Sequence, residues 1–156
     1  MMRSEVTALS AFSRTFRKNS PVEDTTVAIL LFDNGALVSL YSSCALPAPP
    51  FPGEDFRFRI VGTKALLDLD PFQELRLGTR EGWQLISSQP QVGHSDSDTA
   101  FMTPRIQAYT DQLAALVRAV KGQKLEAGTG EDGCTGVKIS LAMLEASQTQ
   151  SVLHFH

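Results

Sequence analysis

From Asp24 to Ser43 the chain reads DTTVAILLFDNGALVSLYSS, two apolar runs meeting at Asp33-Asn34-Gly35. Asn-Gly is the commonest pair for a two-residue hairpin loop, because both positions need φ > 0. With Asn34 and Gly35 as the loop, Leu31 faces Val38, Ile29 faces Leu40 and Val27 faces Ser42 on one side. Phe32, Leu30 and Ala28 then face Leu37, Ser39 and Tyr41 on the other. A three-residue loop with a bulge at Gly35 shifts this pairing. An antiparallel strand with one wet face alternates apolar with polar residues. These two strands are substantially apolar on both faces. Each side of their sheet therefore needs a cover: helices of this chain, another domain or another subunit.

The same patterning divides the rest of the chain. Val6 to Phe16 alternates weakly and is rich in β-formers, which predicts a first strand closed by Pro21. Ala45 to Asp55 carries four of the eight prolines, excluding a helix or a central strand and predicting an irregular loop. Phe56 to Val61 alternates with Phe56, Phe58 and Ile60 on one face. After a turn at Gly62-Thr63-Lys64, Ala65 to Leu69 returns as its partner. Leu75 to Leu77 and Trp83 to Ile86 form a last short hairpin. Ser87 to Ala100 is polar and aperiodic, a loop.

The period then changes from two to three and four. Ile106, Tyr109, Leu113, Leu116, Val117 and Val120 predict a helix over 104–121, with Gly122 where a C-cap belongs. A second helix runs from about Glu131 to Gln148, with Val137, Leu141 and Leu144 on one stripe and Ile139, Met143 and Ala146 on another. Ser151 to Phe155 is a candidate final strand. Strands first and helices afterwards predict an α+β fold: a mostly antiparallel open sheet with two helices packed on one face.

Composition adds bounds. At 156 residues the chain is one domain by default, residues 1–156. A net charge of −3 gives no electrostatic case for nucleic acid or an anionic membrane as partner. Cys44 and Cys134 lie in unrelated contexts with no C-x-x-C between them, so reduced thiols are expected. No apolar run approaches the roughly 20 residues of a membrane span, and MMRSEV is no targeting segment. A cytoplasmic location is expected.

Candidate chemistry is sparse. Gly128 to Gly133 matches G-x-G-x-x-G, but that fingerprint needs a buried strand before it. Here a short polar segment precedes it, and Glu131 and Asp132 would meet a pyrophosphate with like charge. A Gly-rich helix entry capped by Thr129, Glu131 or Asp132 is the better reading. His94 sits in the polar loop with Asp96 and Asp98, a setting without the fixed geometry a metal needs. His154 and His156 are tail residues. No catalytic set has a local signature, and neither catalytic nor metal-binding residues are assigned. Arg105 and Tyr109, at the start of the first helix, are candidates to reach a substrate pocket, although the spacing of Tyr109 to Leu113 equally suits a core stripe. Trp83 belongs to a core or an interface.

Four phrases in order, VAILLFDNGALVSL, FRFRIVGTKALLDL, AYTDQLAALVRAV and GEDGCTGVKISLAMLEAS, resemble the C-terminal domain of the Gfo/Idh/MocA oxidoreductases, the family of glucose–fructose oxidoreductase and inositol dehydrogenase. The resemblance runs from about Glu5 to Phe155. Ala65 stands where the family usually has glycine, which leaves the turn after Gly62 open.

The resemblance implies a glyceraldehyde-3-phosphate dehydrogenase-like C-terminal domain whose parent also carries an N-terminal Rossmann domain. That domain binds NAD or NADP and supplies an active-site lysine in a Glu-Lys-Pro motif, and an Asp/His pair precedes the sheet. None of these motifs occurs in this chain, so no cofactor-binding residue is assigned, and neither NAD(P) binding nor dehydrogenase activity is expected of it alone. It is expected to be the sheet domain of a longer parent that transfers hydride between NAD(P) and a sugar or polyol hydroxyl. It would close the substrate pocket, with Arg105, Tyr109 and Asp132 nearest the substrate. It would also build a homo-oligomer through a sheet face carrying Val27, Ile29, Leu31, Val38, Leu40 and Phe58. Two other readings stay open: a stand-alone interaction or oligomerisation module, and a small-ligand-binding domain using the cleft near Arg105.

Overall fold

A computed structural model of the protein describes residues 4–45, 56–89, 103–125 and 127–155. The proline-rich loop, the His94 region and His156 lie outside them. The chain falls into two units, Met1–Ala48 with Gly128–His156, and Pro49–Ala127.

The first unit is a four-stranded antiparallel sheet with one helix on it. Strands β1 (Val6–Arg14), β2 (Thr25–Phe32) and β3 (Leu37–Ser43) pair in sequence order, and a later strand returns beside β1. The β2–β3 loop has three residues, not two. Phe32 N–H donates to Ala36 O (3.0 Å), Gly35 N–H donates to Phe32 O (2.9 Å), and Gly35 alone in the loop is left-handed, at φ +81°. Asn34 avoids φ > 0 and uses its side-chain oxygen to accept from Ala36 N–H (2.9 Å). Leu31 therefore pairs with Leu37, and Leu30 with Val38.

That one-residue slip exchanges the faces of β3. Val38 and Leu40 do not share a face with Val27, Ile29 and Leu31. They join Leu9, Ala11, Ala28 and Leu30, against which Ala142 and Ala146 of helix α2 (Gly130–Thr149) pack. Two alanines one helical turn apart let the helix lie close to the sheet. Ser147 fixes the axis, its Oγ accepting from Ser13 N–H on β1 (2.8 Å). After α2 the chain turns at Gln150, left-handed at φ 52°, and enters β8 (Leu153–His154). Phe155 N–H then donates to Thr7 O (2.9 Å).

The second unit holds a four-stranded meander and a helix. β4 (Phe58–Val61), β5 (Leu66–Leu69), β6 (Glu74–Thr79) and β7 (Gly82–Ser88) pair antiparallel in chain order. The β4–β5 turn closes with Gly62 N–H donating to Ala65 O (3.0 Å). Ala65 is not left-handed, so the turn accepts alanine without backbone strain. Across β6–β7, Gly78 pairs with Trp83. A Cβ on Gly78 would stand 3.0 Å from both Cη2 and Cζ3 of the indole and 3.2 Å from Cε3. Near-equal distances to three successive ring atoms place the indole face, not its edge, over the glycine. Helix α1 (Thr103–Val120) ends as the sequence predicts. Gly122 is left-handed at φ +86°, and the N–H groups of Gly122 and Gln123 donate to Ala119 O and Arg118 O, a Schellman motif.

The antiparallel α+β architecture is the expected one, arranged as two open sheets. Of the two helices, α2 covers a face of the first sheet, and the apolar stripe of α1 stays exposed. No helix among the described residues is long and apolar enough to cross a membrane.

Candidate functional site

The face of the first sheet opposite α2 is apolar and exposed. Three rows cross it: Leu37–Leu31–Ala8, Ser39–Ile29–Ser10 and Tyr41–Val27–Phe12. Its six large side chains, Phe12, Val27, Ile29, Leu31, Leu37 and Tyr41, are 43% to 70% exposed. Single exposed apolar residues need no explanation, but a contiguous group is a candidate interaction surface. Of the expected interface residues, Val27, Ile29 and Leu31 lie here. Phe12 of β1 joins them, as do Leu37 and Tyr41, which the two-residue loop had put on the other face of β3. Phe58 is exposed too, on the second sheet, edge-on to Phe56 with ring centroids 5.1 Å apart.

At the open end of the hairpin a depression of about 230 Å³ is lined by Glu23 to Thr26 and Ser42 to Cys44. Its organiser is Asp24, only 8% exposed. Its carboxylate accepts from the backbone N–H of Phe16 (3.1 and 3.0 Å), the backbone N–H of Arg17 (2.7 Å) and Thr25 Oγ1 (3.0 Å). Desolvation pushes this carboxyl up. The Arg17 and Phe16 amides, Thr25 and the Arg17 charge outweigh it and hold the group below the ordinary Asp range. Thr25 Oγ1 also meets Ser43 Oγ at 2.8 Å, and Cys44 N–H donates to Asp24 O (2.9 Å). These polar groups satisfy one another and tie the strand ends together.

Beside α1 lies an open cleft of about 490 Å³, where Tyr109, Asp111, Gln112 and Arg118 rise around Ala108 and Ala115. A phenol, a carboxylate, an amide and a guanidinium can donate to and accept from a hydroxyl-rich ligand. Tyr109 is exposed, so it points away from any core of its own unit. Arg105 belongs to α1, but its side chain lies outside the described residues.

Asp132 is a capping residue. Its Oδ2 accepts from Thr129 N–H (2.8 Å) and Thr129 Oγ1 (3.0 Å), while Thr129 Oγ1 accepts from Asp132 N–H (3.1 Å). This capping box holds the Asp132 carboxyl below its usual range through the Thr129 backbone bond first and the hydroxyl second. No strand runs through the described residues of 121–129, so the glycine pattern is a helix entry.

On the second sheet, Arg59, Asp68 and Arg76 form a cross-strand row. Arg57 and Arg59 approach Asp68 Oδ1 at 3.4 and 3.9 Å, and Arg76 pairs with Glu74 at 2.7 Å. The described residues contain no group of three or more His, Cys, Asp or Glu able to hold a metal ion. Cys44 and Cys134 are exposed free thiols.

No curated protein sequence matches this chain. Solved structures do. An oxidoreductase from Sinorhizobium meliloti superposes with a TM-score of 0.74 at 18% identity, over 96% of this chain and 47% of that one. An oxidoreductase from Agrobacterium radiobacter, solved with NAD+, L-tartaric acid and magnesium, gives 0.73 at 18% identity, over 96% and 43%. An inositol dehydrogenase homologue from Azotobacter vinelandii, solved with NAD+, gives 0.68 at 17% identity, over 97% and 43%. At these identities the likeness shows the fold, and the chain spans less than half the length of each. Residues 1–155 match the family model described as "Oxidoreductase family, C-terminal alpha/beta domain". The chain belongs to the Gfo/Idh/MocA oxidoreductase family, as its C-terminal domain.

Proposed function

We propose that this chain is the substrate-pocket and assembly domain of an NAD(P)-dependent oxidoreductase acting on a sugar or polyol hydroxyl. Membership of the family supports the reaction class, and two relatives were solved with NAD+. Hydride transfer and cofactor binding fall to a companion nucleotide-binding domain, and the assembled enzyme is cytoplasmic. The helix bearing Arg105 and Tyr109 offers a wall for the substrate, and Asp132 orders the start of the helix that backs the sheet.

The observation that carries the assembly role is the sheet of the first unit, sealed by α2 on one face and apolar on the other. The occupant of that open face is a second copy of the chain. Val27, Ile29 and Leu31 lie at its centre, flanked by Leu37, Tyr41 and Phe12. Light scattering behind a sizing column is expected to show a dimer or larger. Ile29→Asp, in the middle row, is expected to give a monomer with the same helix and strand content. A strictly monomeric parent chain at high concentration would sink the assembly role.

A further inference from the structure

The loop that closes β2 onto β3 joins Asn34 to Gly35, a pair whose own chemistry the fold holds in check. Asparagine amides are chemically labile. In a chain free to move, the Gly35 nitrogen can reach the side-chain carbonyl carbon of Asn34, because glycine has no Cβ to obstruct the approach. Here both partners are engaged. Gly35 N–H donates to Phe32 O (2.9 Å), and Asn34 Oδ1 accepts from Ala36 N–H (2.9 Å). Phe32 N–H donates to Ala36 O (3.0 Å) just outside them. Asp33 fastens the loop to the start of the chain. Its N–H donates to Glu5 O (2.9 Å), and its Oδ1 accepts from Glu5 N–H (3.3 Å) and Ser4 Oγ. We propose that Asn34 is a self-modification site gated by this loop: closed, the loop withholds both reacting groups, and each opening lets Asn34 and Gly35 cyclise and hydrolyse to aspartate or isoaspartate.

The step balances with water alone. Base removes the Gly35 N–H proton, and the nitrogen attacks Asn34 Cγ to form a cyclic imide. The Cγ–Nδ2 bond breaks, and ammonia leaves after taking a proton from solvent. Water then opens the imide at either carbonyl, so an amide is exchanged for a carboxylate and ammonium. Cleavage at Cγ restores the ordinary main chain as aspartate, whose carboxylate still accepts from Ala36 N–H. Cleavage at the backbone carbonyl gives isoaspartate and sends the main chain through Cγ. The added main-chain carbon falls inside the rings that Gly35 and Phe32 close with Phe32 O and Ala36 O. Isoaspartate therefore opens the end of the hairpin beside the Leu31–Leu37 pair, whereas aspartate keeps it.

Peptide mass spectrometry of the full chain, incubated in mildly alkaline buffer with and without unfolding urea, tests this. Position 34 is expected to react at least about tenfold more slowly in native buffer, because reaction follows the population of the open loop. Asp33→Ala releases Ser4 and Glu5. It is expected to speed the native reaction at least about threefold and to leave the rate in urea unchanged, with Ser4→Ala falling between it and the parent. The isoaspartate fraction, separated by ion exchange, is expected to melt below the Asn34→Asp chain. A native rate equal to or above the rate in urea overturns the proposal. So does an Asn34 that stays unreactive in urea, or an Asp33→Ala chain that reacts no faster than the parent in native buffer. Isoaspartate that melts with Asn34→Asp overturns the difference drawn between the two products.

Discussion

Asp24 shows what one residue does that pattern cannot announce. Its partners are backbone amides eight and seven positions earlier, at Phe16 and Arg17. Any residues but proline at those two positions would offer the same N–H groups, so no side-chain signal marks the site. The consequence is measurable. Because the folded carboxyl titrates below its unfolded value, its contribution is present above the unfolded pKa of about 4 and is lost as pH falls through the folded pKa. Asp24→Asn keeps the shape and removes the charge. Its melting temperature is expected to lie below that of the parent at pH 7 and to converge with it on acidification below about pH 4. A gap that stays constant with pH would place the effect elsewhere. Thr129 and Asp132 were legible by contrast, because a capping box uses side chains at a fixed spacing.

The elements themselves were largely legible, since period two gave way to period three and four at one place in the chain. Their register was not. Asn34-Gly35 satisfies a two-residue loop and a three-residue loop equally well as composition. What separates them is whether Asn34 takes φ > 0 or spends its amide oxygen on Ala36 N–H. That choice moved Val38 and Leu40 under α2 and brought Leu37 and Tyr41 to the open face. Trp83 illustrates the other kind of miss: its partner across the strand is a residue without a side chain. Gly78→Ala would push a methyl group into the indole face at about 3.0 Å. A loss of about 1–3 kcal/mol is expected, with a shift in tryptophan emission measured in the same denaturation. Gly78→Ala with full stability would mean the indole is free to swing aside.

For the whole molecule, family membership was readable because four weak phrases kept their order. The division of the strands into two sheets was not, since strand pairing across irregular segments leaves no periodic trace. Nor could the sequence say that α1 would leave its stripe open. The same scale decides the catalytic question. The described residues offer no nucleotide cradle, and the one glycine pattern opens a helix with two acids in its first turn. Calorimetric titration of the isolated chain with NAD+ and NADP+ is expected to show no heat of binding. Micromolar affinity for either would return attention to 128–133.

The first unit is written in two instalments, since Pro49–Ala127 stands between β3 and α2. On the ribosome its three leading strands emerge long before Ala142 and Ala146, the residues that seal them. For that interval the nascent sheet has both apolar faces bare, while every strand of the second unit is already available to pair. A chaperone that holds nascent chains, or a slowed stretch of translation, would matter most in that window. A stop codon just ahead of α2 would leave a complete second unit joined to a three-stranded sheet with neither α2 nor β8 to cover or extend it.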